Sequence, residues 1–237
     1  MTSRLEALVV VAGDPAALAR FWGGLLGWTA VDDPLGGVAL LPTDDTGFRL
    51  RFCPAQEPKA GQNAAHLDLT SASPRAQEET VARALHLGAR HVDVGQLPED
   101  GHVVLADPEG NEFCVIEPGN AFLAECGTVG ALACDGTQEV GYFWSRALGW
   151  PLVWDQDLET AIRSPHGGPK LTWGGTPPVP GRQRLHLDLA PAAGGREAEV
   201  ERLLALGASR VGAGPHGTVL ADPDGQRFCV LPGQPAR

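Results

Sequence analysis

The sequence predicts an α+β protein made by internal duplication, with βαβββ as the repeating module. Three observations carry this. The stretch Val104-Leu-Ala-Asp-Pro-Glu-Gly-Asn-Glu-Phe-Cys-Val-Ile116 returns 115 residues later as Val219-Leu-Ala-Asp-Pro-Asp-Gly-Gln-Arg-Phe-Cys-Val-Leu231. Segments of strand and helix periodicity follow one another in the same order along both halves. The 237 residues suit two units of about 110 to 120, a usual domain size in which each can bury a core.

Leu5 to Val11 reads as the first strand. Gly13-Asp14-Pro15 closes it, with Asp14 placed to cap a helix and Pro15 suited to its first turn. Leu18, Phe21, Trp22, Leu25 and Leu26 recur at helical spacing, and Gly27 can end the helix in the left-handed conformation. Trp28 to Asp32, Val38 to Leu41 and Phe48 to Cys53 are three short strands punctuated by Gly, Pro and Asp. The pattern then restarts, with a strand over Ala65 to Thr70, a helix over Pro74 to Leu87 and strands over Ala89 to Val94, His102 to Ala106 and Glu112 to Glu117. Between the last two, Asp107-Pro-Glu-Gly110 has the chemistry of a type I turn, so a hairpin ends the half. Residues 119–127 lack periodicity and read as a linker. Beyond them Phe143-Trp-Ser-Arg-Ala-Leu-Gly-Trp150 repeats Phe21-Trp-Gly-Gly-Leu-Leu-Gly-Trp28, and His186-Leu-Asp-Leu189 repeats His66-Leu-Asp-Leu69. The second half is a copy of the first.

A formal charge of −11 with few clustered cations disfavours a nucleic-acid partner. The apolar run Leu5 to Ala12 is interrupted by Glu6 and is too short for a signal or a membrane span, so a cytoplasmic protein without a membrane partner is expected. Five cysteines without a C-x-x-C spacing point to free thiols. There is no nucleophile elbow, P-loop, dinucleotide fingerprint or H-E-x-x-H.

The paired βαβββ pattern, the F-W-x-x-L-L-G-W helix end, the H-L-D-L strand and the D-P-[ED]-G-x-x-F-C-V hairpin resemble the vicinal oxygen chelate superfamily. This is the glyoxalase, bleomycin-resistance and extradiol-dioxygenase group. The resemblance implies two domains, residues 1–118 and 128–237, each an eight-stranded curved sheet around a cleft with its helices outside. Metal-dependent members of that group draw ligands from the first, fourth, fifth and eighth strands. Here the first-strand position falls on Ala7, and in the copy on Thr128 or Val129. The fourth strand offers Arg49 and Arg51, and its copy Lys170 and Thr172. Histidine is kept at the fifth as His66 and His186, while the eighth carries Cys114 and Cys229. One imidazole and one thiol per half suit zinc in kind but fall short of its usual three or four ligands. No functional metal and no other cofactor are therefore expected.

Strand alternation puts His66 and Asp68 on one face with Leu67 and Leu69 on the other, and does the same for Arg184, His186 and Asp188 in the copy. A carboxylate beside a histidine favours its charged form and could support proton transfer or ligand binding. Arg51, Cys114, Cys229 and Trp154, whose ring could stack on a planar ligand, complete the candidate ligand-binding set. Lys59 and the Pro-rich loop Gly174 to Gly181 are candidates for a cleft mouth. The leading expectation is a metal-free, glyoxalase-like binder of a small organic molecule, monomeric or homodimeric. The alternative is a lyase, isomerase or dioxygenase of the same superfamily that uses His186 or His66 as acid, base or residual metal ligand. A third reading makes the paired domains an interaction module.

Overall fold

A computed structural model describes residues 2–54, 59–97, 99–178, 183–191 and 195–233. The predicted order is found. The first module is β1 (Arg4–Ala12), α1 (Pro15–Leu26), β2 (Thr29–Asp32), β3 (Val38–Leu41) and β4 (Arg49–Pro54). The second is β5 (Ala65–Leu69), α2 (Pro74–His86), β6 (Arg90–His91), β7 (Val103–Ala106) and β8 (Glu112–Val115). The third is β9 (Val129–Asp135), α3 (Gln138–Leu148), β10 (Leu152–Gln156), β11 (Glu159–Arg163) and β12 (Lys170–Gly174). The fourth is β13 (Leu185–Ala190), α4 (Arg196–Ala205), β14 (Ser209–Ala213), β15 (Thr218–Ala221) and β16 (Arg227–Val230). Asp14 accepts from the Ala17 N–H at the start of α1, and Gly27 closes that helix at φ 72°. Between the halves, Ala121–Leu123 forms a short 3-10 turn with Leu123 buried. End residues 179–181 of the Pro-rich loop lie outside the described residues. Lys59 pairs with Glu112 at 2.7 Å.

The strands form two eight-stranded sheets, as the fold class requires, but each sheet takes one module from each half. Sheet A runs β14-β15-β16-β13-β1-β4-β3-β2, and sheet B runs β10-β11-β12-β9-β5-β8-β7-β6. Thus modules one and four share a sheet, as do modules two and three. At the seams β1 pairs antiparallel with β13, and β5 with β9. The sequence repeats mark units of duplication, and the clefts are built across them.

What joins two modules of the same half is a contact between motifs. The Trp22 indole donates to Asp107 at 3.1 Å, and the Trp144 indole donates to Asp222 at the same distance. Glu109, in the first turn, accepts from the backbone N–H groups of Gly13 and Asp14 at 2.8 Å each. Asp224, in the second, accepts from the Thr137 N–H and hydroxyl. Each turn carboxylate therefore satisfies donors at the start of the first helix of its own half. Phe21, Trp22, Phe113, Phe143, Trp144 and Phe228 pack between the sheets in one continuous apolar core.

Candidate functional site

The exchange of modules decides which candidate residues meet. In sheet A, Ala7 lies opposite both Arg49 and Asp188, and Asp188 pairs in turn with Cys229. One step along, Val9 lies opposite Arg51 and His186. Sheet B repeats both rows, with Ala131 between Lys170 and Asp68, Asp68 beside Cys114, and Ala133 between Thr172 and His66. Arg51 therefore faces His186 and Asp188, not the His66 of its own half. Spacing to the helix puts the first-strand position of the copy at Thr128 or Val129; strand register puts it at Ala131, which lies opposite Asp68 as Ala7 lies opposite Asp188.

Cleft A is a cavity of about 590 Å³ on the inner face of sheet A, lined by Val9, Val11, Val219 and Phe228 among others, with Arg51, His186, Asp188 and Cys229 at its floor. Arg51 and Asp188 are each only 2% exposed. The guanidinium is held from two sides, by Asp33 at 2.9 Å through Nε and by Asp188 through Nη1. The buried cation is thus paired on two sides, as a low-dielectric site demands. The other Asp188 oxygen, Oδ1, is buried without a hydrogen bond, and His186 Nε2 stands 3.5 Å from it. His186 keeps 29% of its side chain exposed toward the cavity. Burial, reinforced by the Asp188 charge and opposed by Arg51, pushes the Cys229 thiol up to about 12, so it is neutral near pH 7.

Cleft B is smaller, about 240 Å³, and is lined by His66, Phe122, Trp154 and Thr172 among others. The Phe122 ring meets Trp154 edge to face at 5.7 Å between centroids. Lys170 donates to the Phe122 carbonyl and lies 4.0 Å from the centre of its ring. The linker turn thus supplies part of this cleft's wall. His66 lines this cavity, and its donor atom and those of Asp68 and Cys114 all lie within 4.8 Å of one another. Burial works against the charge on His66, but Asp68 and Cys114 outweigh it and hold its pKa up at about 10.

Of the nine candidate residues, Arg51, His186, Asp188 and Cys229 gather in cleft A, and His66, Asp68, Cys114 and Trp154 around cleft B. Arg184 stands apart from both: it pairs with Glu109 at 2.7 Å, in the contact that caps α1. Asp33 escapes sequence reasoning because it sits in a loop after β2 with no motif around it and reaches Arg51 only through the fold. Phe122 escapes it because the linker has no periodicity. Cys53, on the same face of β4 as Arg51, also lines cleft A.

A family model described as a glyoxalase-like domain matches residues 7–116 and again 130–231. The chain belongs to this glyoxalase-like family. Among solved structures, maize (Zea mays) glyoxalase I superposes with a TM-score of 0.65 at 14% identity, over 97% of this chain and 92% of that one. A point mutant of the same maize enzyme gives 0.67 at 12%, over 97% and 94%. A Bacillus subtilis protein provisionally named a dioxygenase gives 0.62 at 13%, over 99% and 86%. At such identities the likeness is one of fold. No curated protein matches the sequence.

The glyoxalase-like scaffold implies a divalent ion, and the two clefts answer differently. In cleft A the four positions hold Ala7, Arg51, His186 and Cys229, and the available carboxylate already neutralises the guanidinium. Asp188 is committed to that guanidinium, and among the described residues His186, Asp188 and Cys229 do not converge as a donor set, so cleft A does not fit an ion. In cleft B, Thr172 replaces the arginine, and Asp68 joins His66 and Cys114 to give three donors of kinds that zinc accepts. Counting histidine and cysteine alone overlooks this carboxylate.

Proposed function

We propose that cleft A of this glyoxalase-like protein binds a small organic molecule without a metal, through an apolar body and a hydroxyl or N–H group directed at His186. The observation that carries the reading is the cavity of about 590 Å³, lined largely by aliphatic residues, with a partly exposed histidine on its floor. Such a volume is usual for a drug-sized ligand. His186 Nε2 faces the Asp188 carboxylate at 3.5 Å, so Nδ1 is the ring nitrogen left to meet a polar group of the bound molecule. Arg51 holds Asp188 in place from behind. The same backing favours a second reading, in which His186 takes a proton from the bound molecule, as an isomerase or lyase requires.

Thermal-shift screening of hydroxylated aromatic and heterocyclic compounds tests the binding reading. A ligand at about 100 times its Kd should stabilise the wild type by about 2.7 kcal/mol. That shift should vanish in Val219→Trp, which fills the cavity, and shrink in His186→Ala. Ligands that stabilise Val219→Trp as well as the wild type bind elsewhere and sink the proposal. If a bound compound is also converted, and His186→Ala binds it but does not convert it, the enzymatic reading replaces simple sequestration.

A further inference from the structure

We propose that the two clefts are chemically divided: cleft B takes one zinc-class divalent ion on His66, Asp68 and Cys114, whereas the matching set in cleft A is disabled by Arg51. The inference concerns a different cleft from the proposed organic site and stands independently of it.

Zinc bonds of about 2.0 to 2.3 Å place tetrahedral donors roughly 3.3 to 3.8 Å apart. His66 Nε2 and Asp68 Oδ1 are already 3.3 Å apart, and all three donors lie within 4.8 Å, so small side-chain rotations suffice to converge on one ion. Strand geometry is the reason. His66 and Asp68 are two residues apart on β5 and face the same way, while Cys114 is the cross-strand partner of Asp68 on β8. Asp68 Oδ1 is buried and faces His66 Nε2 at 3.3 Å, so an ion bound between them would take the place of the proton that this pair holds. Imidazole, carboxylate and thiolate together suit zinc better than magnesium or calcium, which prefer oxygen alone. Three protein donors leave a fourth position for water on the side of the cavity that His66 lines. A zinc ion bound this way would supply Lewis acidity to that small cavity.

The same three residue types recur in cleft A as His186, Asp188 and Cys229, at the same register. What differs is the neighbour two strands away. Arg51 lies across Val9 from His186, and its guanidinium engages Asp188; Thr172 lies across Ala133 from His66 and brings no charge. The cation nearest the cleft B row, Lys170, is drawn to the Phe122 carbonyl. His66 and Cys114 stand at the fifth- and eighth-strand positions that the superfamily resemblance implies, and Asp68 is the departure from them. The first strand contributes only alanine, and Asp68 enters from within the fifth.

The experiment is titration of the untagged, metal-stripped full chain with Zn²⁺ and, as a spectroscopic probe, Co²⁺. The expected result is one ion per chain by elemental analysis and a thiolate-to-cobalt charge-transfer band. Cys114→Ser should abolish the band and weaken binding by more than the roughly 10- to 100-fold that losing an outer-shell partner costs. Asp68→Asn should weaken binding, while Cys229→Ser should leave stoichiometry and band unchanged. Thr172→Arg, which copies Arg51 into cleft B, should abolish binding in a folded protein, as judged by its circular dichroism. Arg51→Thr should raise the stoichiometry to two. An absent ion, a band that survives Cys114→Ser, or two ions in the wild type overturns the proposal. Unchanged binding in Thr172→Arg overturns the role given to the arginine.

Discussion

Arg51 shows how one side chain sets the chemistry of a cleft. Its guanidinium is buried between Asp33 and Asp188, so removing it leaves two carboxylates without their cation in a low-dielectric site. Arg51→Met should destabilise the protein by about 3–5 kcal/mol in urea unfolding at neutral pH. A second residue-scale test concerns Asp222. Burial is the largest influence on it and raises its pKa from 3.8 to about 6, against the hydrogen bond from Trp144. A carboxyl whose folded pKa lies above its unfolded value stabilises the fold fully below pH 3.8 and loses that contribution as pH rises to about 6. The loss over that window is on the order of 3 kcal/mol. Asp222→Asn lowers stability at every pH by disturbing the turn, but it should flatten the fall between pH 4 and 6 relative to wild type, as read from melting temperatures across that range.

At the scale of elements, helix ends were legible because their chemistry is local. Gly27 and Gly149 follow Leu-Leu and Ala-Leu in the two F-W helices, and both adopt positive φ, at 72° and 68°. At Gly27 a Cβ would meet nothing within 4 Å, so Gly27→Ala should cost only the backbone strain, about 1 kcal/mol. Gly141 looks less special in the sequence, sitting inside α3 with no turn to explain it. In the fold its Cα rides on β11, where an added Cβ would come within 1.9 Å of Thr160 Oγ1. Gly141→Ala should therefore cost about 1–3 kcal/mol, through overpacking, despite alanine's better helix propensity. Comparing the two variants by chemical denaturation separates conformational strain from close packing. The reverse order of cost would show that the contact at Gly141 relaxes freely.

For the whole molecule, the exchange of modules between halves has a direct consequence. Residues 1–118 alone retain the Trp22–Asp107 contact but leave β1 without β13 and β5 without β9. Both seams are long central edges, which seek partners. The isolated half should not be a stable monomer: light scattering should show a dimer or larger species, and mixing it with residues 128–237 should restore a one-to-one complex with both sheets. Two stable monomeric halves that ignore each other would contradict the cross-half seams. No helix among the described residues is long and apolar enough to cross a membrane.

The sequence by itself determined the modules, their order and number, the helix caps, and which face of each strand carries His66, Asp68, His186 and Asp188. These follow from period-2 and period-3.6 patterning and from turn residues, all within about a dozen positions of chain. It also placed Trp22 and the Asp107 turn in one unit, though not in hydrogen-bonding contact. Only the tertiary structure decided that modules pair across the halves, because strand order depends on which apolar edges meet in space and leaves no mark on local periodicity. That pairing sets Arg51 against Asp188 and leaves Thr172 opposite His66. It brings Asp33 to the buried cation from 18 residues away and Phe122 from the linker into a cleft wall. Near-identical strands thus line two different chemical environments, and the difference comes from long-range register, which a single strand does not encode.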